Sequence, residues 1–144
     1  SRGLGDVYKR QTFLPIRNDD FDDHVMHSEY GIIDEKTALK INQCKKKGGK
    51  IIAVGTTTLR LLESAAKNNV VENFKRETNI FIKPGYKFQI VDMLLTNFHL
   101  PKSTLLLLVS AFAGTEEIFK IYKHAVTNKY RFFSYGDVSL LFKK

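Results

Sequence analysis

The chain has 144 residues, which is enough for one domain with a hydrophobic core but too few for two domains of ordinary size. Apolar residues make up 43% of the sequence and charged residues 26%, a balance that excludes a disordered or fibrous protein. Twenty-three basic and fifteen acidic side chains give a net charge of +8, which favours a polyanionic partner such as nucleic acid.

The single cysteine, Cys44, excludes an intrachain disulfide and a cysteine metal cluster. Such a composition is typical of a reducing compartment, so we expect a cytoplasmic protein. The longest apolar run, residues 105–113, is far shorter than the roughly 20 residues that cross a bilayer. We therefore expect no contact with a membrane.

Residues 34–47 are predicted to form a helix. Asp34 is placed to cap its amino end, and Gly48-Gly49 ends it. The run Lys45-Lys46-Lys47 falls in the last turn, where the helix dipole favours cations. A solvated helix end therefore explains this run as well as RNA binding does.

A strand, a polar loop and a helix are predicted next. Residues 50–54 are largely aliphatic and bounded by glycines, which indicates a buried strand, and a helix follows the loop Gly55-Thr56-Thr57-Thr58 through Ala66. A capping hydroxyl accounts for the threonines. It does not account for Arg60, a cation in the first helical turn, where the dipole disfavours positive charge. An anion held between Arg60 and the loop would resolve that conflict.

The rest of the chain continues the alternation of strands and helices. We predict a polar surface loop at 68–78, strands at 79–82 and 87–91 around a Pro84-Gly85 turn, and a polar connection before a buried helix at 103–113. Gly114 ends that helix, and Thr115 is predicted to cap another with an apolar stripe of Ile118, Ile121, Tyr122 and Ala125. A final strand covers 138–142. The fold class is α/β, with a sheet covered on at least part of both faces.

Five motifs occur in a fixed order along the chain: Met26-His27-Ser28-Glu29-Tyr30, Ala53-Val54-Gly55-Thr56-Thr57, Ile80-Phe81-Ile82-x-Pro84-Gly85-Tyr86, Thr96-Asn97-Phe98-His99-Leu100-Pro101-Lys102-Ser103-Thr104 and Tyr130-Arg131-Phe132-Phe133-Ser134-Tyr135-Gly136-Asp137. In order and spacing they resemble the C-terminal part of the S-adenosylmethionine:tRNA ribosyltransferase-isomerase family of queuosine biosynthesis. The resemblance covers roughly residues 12–142.

The resemblance implies an enzyme that moves and rearranges the ribosyl part of S-adenosylmethionine onto 7-aminomethyl-7-deazaguanine at the wobble position of tRNA. The product is epoxyqueuosine, and adenine and methionine are released. S-adenosylmethionine is then a co-substrate, the tRNA anticodon loop is the partner, no metal is expected, and a monomer is favoured. The implied fold is the C-terminal portion of a large α/β domain, a mixed sheet with helices packed on its faces, whose inserted β-barrel domain is missing here.

The chain departs from the family pattern in its length and in its first eleven residues. Family members are more than twice as long. Residues 1–11 do not match the family pattern, so we expect them to be a non-native or junction segment and residues 12–144 to be the C-terminal part of the catalytic domain. A truncated product of this kind is expected to be inactive alone, and its lost sheet neighbours favour aggregation.

The reaction implied by the resemblance needs a held sulfonium, a proton acceptor and a leaving nucleobase. We predict four catalytic residues, of which the histidines are candidate bases: His27, Glu29, His99 and Lys102. Lys102 either assists the leaving adenine or holds an RNA phosphate. The predicted S-adenosylmethionine-binding residues are Gly55, Thr56, Thr57, Arg60, Tyr135 and Asp137. Asn97 and Arg131 are predicted to bind RNA, because an amide reads base edges and a guanidinium stacks on unpaired bases. The alternative is a noncatalytic basic RNA-binding module, which would not need the histidine and carboxylate clusters.

Overall fold

The computed structural model of the protein describes residues 26–144. Within this range it is a mixed α/β structure, as predicted. The helices are α1 (Glu35–Lys46), α2 (Thr56–Ser64), α3 (Thr104–Ala113) and α4 (Thr115–Thr127). The strands are β1 (Glu29–Ile33), β2 (Ile52–Val54), β3 (Ala66–Lys67), β4 (Val70–Val71), β5 (Phe74–Thr78), β6 (Met93–Asn97) and β7 (Val138–Phe142). The predicted segment 1–11 lies outside the described residues.

Local signals set the ends of α1 and α3 as predicted. Asp34 caps α1, its carboxylate accepting the Thr37 N–H at 2.7 Å, and Ser103 caps α3 by accepting the Leu106 N–H at 3.2 Å. Two other capping predictions are wrong. Gly55 caps α2 and Gly114 caps α4, neither with a side-chain hydrogen bond, so the threonine hydroxyls near these ends do not cap them.

The sheet that positions the predicted site residues has three strands in the order β2-β6-β7. β2 and β6 run parallel with Ala53 opposite Leu94, while β6 and β7 run antiparallel with Leu94 opposite Leu141. These three residues are buried against the helices, with exposed fractions of 3% or less. α2 follows β2 and α3 follows β6, so both helices start at the same edge of the sheet.

Strand β6 occupies part of the stretch predicted to be a polar connection, and the predicted strands at 79–82 and 87–91 are not strands. The reason is a buried carboxylate. Glu63 of α2 accepts the N–H groups of Gln89, Ile90 and Val91 at 2.8–3.0 Å, so these donors do not pair with a neighbouring strand. The extended segment is held by a side chain in place of a sheet.

The polar stretch 68–78 was also wrongly predicted as a loop, because it contains β4 and β5. β5 pairs antiparallel with β1, which the sequence did not indicate either. Only Phe74 and Thr78 of β5 are buried, and the charged residues between them face solvent. With so few apolar positions, its strand character depends on the distant partner β1, not on its own composition.

One face of the β2-β6-β7 sheet is apolar and uncovered by residues 26–144. Its exposed side chains come from the two edge strands, with 48–65% of their surface accessible: Ile52, Val54, Val138, Leu140 and Phe142. The strand register places Met93 and Leu95 of β6 between them. The prediction that β2 is a buried strand is therefore wrong, since Ile52 and Val54 are exposed and only Ala53 is buried. An apolar face of this kind is typical of a surface that another polypeptide segment covers.

We expect this face to make the 144-residue chain self-associate. Replacing Val54 and Leu140 together by lysine places two charges on the face and should lower light scattering at a given protein concentration. Val126 on α4 provides the control, since it is equally exposed at 65% but lies outside the sheet. If Val126→Lys reduced scattering as much as the double variant, the sheet face would not be the site of association.

Candidate active site

The side chain of Arg60 is buried and ties three segments together. Its Nη1 donates to the Glu29 carboxylate at 2.8 Å, its Nη2 to the His27 carbonyl at 3.1 Å and its Nε to the Ile80 carbonyl at 3.2 Å. Only 2% of the Arg60 side chain and 18% of the Glu29 side chain are exposed. Burial lowers the pKa of Arg60 and the nearby Glu29 carboxylate raises it, so the ion pair offsets part of the desolvation.

Arg60 is the fifth residue of α2 and therefore lies in its second turn, not in the first turn as predicted, and the anion beside it is Glu29. The carboxylate also accepts the Thr57 hydroxyl at 3.4 Å, which joins it to the first turn of α2. The sequence predicted an anion at this place but not that it belongs to the chain itself. Two of the predicted clusters, His27-Glu29 and Gly55-Arg60, thus form one connected group of contacts.

Strand pairing brings a third cluster of predicted site residues, Asn97 and His99, to the edge of the sheet where α2 begins. Gly55 donates its N–H to the Leu95 carbonyl at 2.8 Å, so the loop after β2 lies beside the end of β6, where Asn97 and His99 follow. Asn97 donates through Nδ2 to the carbonyls of Gly136 and Asp137, both at 3.3 Å. The carboxyl ends of β2 and β6 and the amino end of β7 therefore gather all three clusters. In sheets with parallel strands, this edge is where ligands bind.

His99 lies inside the protein, with 2% of its surface exposed. Its Nε2 is 3.1 Å from the Thr96 hydroxyl, and its backbone N–H donates to the Tyr122 hydroxyl at 2.8 Å. Burial lowers the pKa of His99 to about 4, so the ring is neutral at pH 7. Such a ring positions its neighbours well but accepts a proton poorly near neutral pH.

The remaining predicted residues are accessible. His27 and Lys102 are exposed, and Lys102 has a positive φ of 57° in the connection between β6 and α3. Arg131 and Tyr135 are exposed on the loop before β7, and Asp137 is partly buried there. Gly55 and Thr57 are partly buried and Thr56 is buried.

Sequence reasoning missed two residues at this edge, Thr96, which contacts His99, and Tyr122, which holds the His99 backbone. It also missed Glu63, which binds the segment before the amino end of β6. Burial raises the pKa of Tyr122 to about 12, so its hydroxyl stays a donor and acceptor. The available signal was helical spacing, since Glu63 lies on the same face of α2 as Arg60, three residues away. Glu63 at that position faces the interior, where a carboxylate requires partners.

Two cavities lie away from the gathered clusters. One, of about 390 Å³, opens between α4 and β7 and is lined by Phe98, His124 and Tyr130 among others. The other, of about 570 Å³, lies beside α1 and β4 and is lined by Asn42 and Glu72 among others. None of the predicted site residues lines either cavity. Residues 26–144 thus supply side chains for a site at the sheet edge that is separate from these two cavities.

The described residues contain neither a candidate metal site nor a membrane-spanning helix. Among residues 26–144, no group of three or more His, Cys, Asp or Glu side chains is arranged to hold a metal ion. No helix in the same range is both long and apolar enough to span a bilayer.

We expect Arg60→Met to lower the free energy of unfolding by about 3 kcal/mol, because it leaves the Glu29 carboxylate largely buried without its partner. Adding Glu29→Gln should recover part of that loss. Lys120→Met is the matched control, since its ion pair with Glu117 is mostly exposed and contributes about 0.5 kcal/mol or less. Urea denaturation measures all three, and equal losses in the Arg60 and Lys120 variants would contradict the assignment.

The buried His99 should also make stability depend on pH. Its folded pKa of about 4 lies below the ordinary value of 6.5, so the unfolded chain binds the extra proton between these values. The contribution is complete above pH 6.5 and decreases as the pH falls, and the loss amounts to roughly 3 kcal/mol at pH 4. His99→Gln should remove this slope, measured by urea denaturation from pH 4 to 7. The exposed His124→Gln should keep it, and a slope unchanged in His99→Gln would refute the assignment.

Comparison with known proteins identifies the family. The sequence pattern of the family described as "Queuosine biosynthesis protein" matches residues 8–141. The S-adenosylmethionine:tRNA ribosyltransferase-isomerase of Erythrobacter litoralis is 60% identical over 131 residues, which cover 90% of this chain and 38% of that protein. The protein of the same name from Zymomonas mobilis is 58% identical over 134 residues, covering 92% and 39%.

A solved structure supports the same relationship. The S-adenosylmethionine tRNA ribosyltransferase of Thermotoga maritima superimposes with a TM-score of 0.73 at 45% identity, covering 77% of this chain and 39% of that one. This chain spans about two fifths of the length of these relatives. The family match begins at residue 8, four residues before the predicted start at Thr12, and that predicted boundary stays a prediction. The resemblance found in the sequence is confirmed, and the chain belongs to the queuosine biosynthesis protein family.

Proposed function

We propose that this chain supplies part of the active site of an S-adenosylmethionine:tRNA ribosyltransferase-isomerase. The reaction moves the ribosyl moiety of S-adenosylmethionine onto 7-aminomethyl-7-deazaguanine in the anticodon loop of tRNA, gives epoxyqueuosine, and releases adenine and methionine. The observation that carries the proposal is the meeting of the three polar clusters at the carboxyl ends of β2 and β6. S-adenosylmethionine is a co-substrate, and no metal takes part.

The proposed S-adenosylmethionine site is the loop Gly55-Thr56-Thr57 with the adjoining Glu29 carboxylate. The amino end of α2 offers backbone N–H groups to polar atoms of the ligand. Arg60 acts on this site indirectly. Its three hydrogen bonds are all made to the chain itself, so it fixes the direction of Glu29 and the backbone at His27.

We assign the general base to His27 and not to His99. His27 is exposed next to the Glu29–Arg60 pair, whereas His99 is buried and its pKa is lowered to about 4. A base that acts near neutral pH needs access to substrate and a pKa close to 7. We therefore propose catalytic roles for His27 and Glu29, a supporting role for Lys102 at the leaving adenine, and a positioning role for His99.

The tRNA partner fits the charge of the chain and the exposed cations near the same edge. Arg131 and Lys102 are accessible, and the net charge of +8 favours binding to phosphate. We propose a cytoplasmic, monomeric enzyme. Because the chain spans about two fifths of its relatives and its predicted site residues line neither cavity, we expect the 144-residue chain to be inactive alone.

A chimeric enzyme tests the proposal. Residues 12–144 replace the matching stretch of the Zymomonas mobilis relative, and release of adenine is measured with S-adenosylmethionine and tRNA that carries 7-aminomethyl-7-deazaguanine. We expect an active chimera, and Glu29→Gln should lower its turnover by about 100-fold or more because a charged, oriented carboxylate is lost.

The control in the chimera is His124→Gln, a change at an exposed histidine of α4 outside the gathered clusters, which should leave turnover unchanged. A folded chimera without adenine release would refute the proposed activity of this chain. If that chimera still bound RNA with strong dependence on salt, the result would favour a noncatalytic RNA-binding module, which the comparisons do not favour.

A further inference from the structure

Tyr135 stands out among the aromatic residues because 84% of its surface is exposed. It lies on the eight-residue segment 130–137 that leads into β7, which we call the tyrosine loop. The contacts of the loop show that the ring is held out from the surface by a fixed backbone.

The two ends of the tyrosine loop are fastened together. Asp137 accepts the Arg131 N–H through Oδ2 at 2.7 Å, and its own N–H donates to the Arg131 carbonyl at 2.8 Å. A guanidinium nitrogen of Arg131 lies 3.7 Å from the other carboxylate oxygen. The Asp137 carboxylate is therefore occupied in closing the loop.

The backbone within the loop adopts conformations that ordinary sequences avoid. Phe133 has a φ of +73°, which is rare for a bulky residue. A Cβ on Gly136 would overlap the Arg131 carbonyl, so this position needs glycine. Strain of this kind persists only where surrounding contacts enforce it, and it concentrates at ligand-binding sites.

The underside of the loop is anchored to the core. Asn97 donates to the carbonyls of Gly136 and Asp137, and the Phe133 N–H donates to the Phe98 carbonyl at 3.1 Å. The Phe132 ring packs on Phe98 with centroids 5.4 Å apart. Tyr135 is thus presented by a preformed loop, which reduces the entropy lost on binding.

We propose that the Tyr135 ring is a stacking platform for an unpaired base of the RNA substrate, and that Asp137 is a positioning residue that holds the loop. The inference rests on the proposed function and departs from the earlier expectation that both residues bind S-adenosylmethionine. A small ligand is normally enclosed over most of its surface, whereas bases of single-stranded loops stack on exposed aromatic rings. The exposure of Tyr135 fits the second case, and the exposed Arg131 beside it favours a polyanion.

The chain contains no tryptophan, which allows a direct test with the full 144 residues. Tyr135→Trp introduces a single tryptophan, whose fluorescence is followed. The titrant is an RNA hairpin with an unpaired guanine in its loop. Stacking should quench the fluorescence along the same saturation curve as RNA binding measured by anisotropy. Phe119→Trp is the control, because Phe119 is 75% exposed on α4, outside the loop, and should show no saturable quenching.

Two further variants separate stacking from folding. Tyr135→Ala should weaken hairpin binding by about tenfold or more, while Tyr135→Phe should keep it, since the ring alone stacks. Asp137→Ala combined with Tyr135→Trp should reduce the quenching at saturating RNA, because the loop loses its closure. Circular dichroism confirms that each variant is folded.

Three outcomes would overturn the proposal: no hairpin binding by the folded chain, binding without quenching at position 135, or quenching by S-adenosylmethionine alone. Each is distinguishable from failure of the proposed enzyme activity. That activity is measured by adenine release from the chimera, which does not depend on a fluorophore at Tyr135.

Discussion

The buried guanidinium of Arg60 is the contact on which the arrangement of the other site residues depends. It joins the start of β1, helix α2 and the segment before the Pro84-Gly85 turn, through Glu29, the His27 carbonyl and the Ile80 carbonyl. A guanidinium is suited to this task because its donors point in fixed directions and it stays charged when buried. One ion pair thus fixes the carboxylate that we propose to be catalytic and holds three chain segments together.

In two places, the edge and the open face of the β2-β6-β7 sheet, the chain supplies only part of a surface. At the sheet edge it gathers polar side chains that line neither of the two described cavities, and on the open face of β2, β6 and β7 it leaves apolar side chains exposed. Both features fit a chain that spans about two fifths of its relatives. Helix packing on the opposite face nevertheless buries Ala53, Leu94 and Leu141, so the strands keep their register.

The sequence predicted what local interactions decide. Capping residues and glycines predicted the ends of α1 and α3, and five motifs predicted the family. It did not predict β1, β5 or β6, because their pairing depends on residues more than 40 positions away. Segment 87–91 looked like a strand, but Glu63 takes its backbone donors. For the site, Arg60 signalled a missing anion, and only the folded chain shows that Glu29 supplies it.

The central claim is that the carboxyl ends of β2 and β6 form the ligand-binding edge of this chain. The most direct measurement is a titration of the chimera with S-adenosylmethionine, followed by amide chemical shifts with only residues 12–144 isotopically labelled. We predict the largest shifts at Glu29, at Gly55-Thr56-Thr57 and at Asn97. Shifts confined to the opposite end of the sheet, or to the cavity between α4 and β7, would contradict the account.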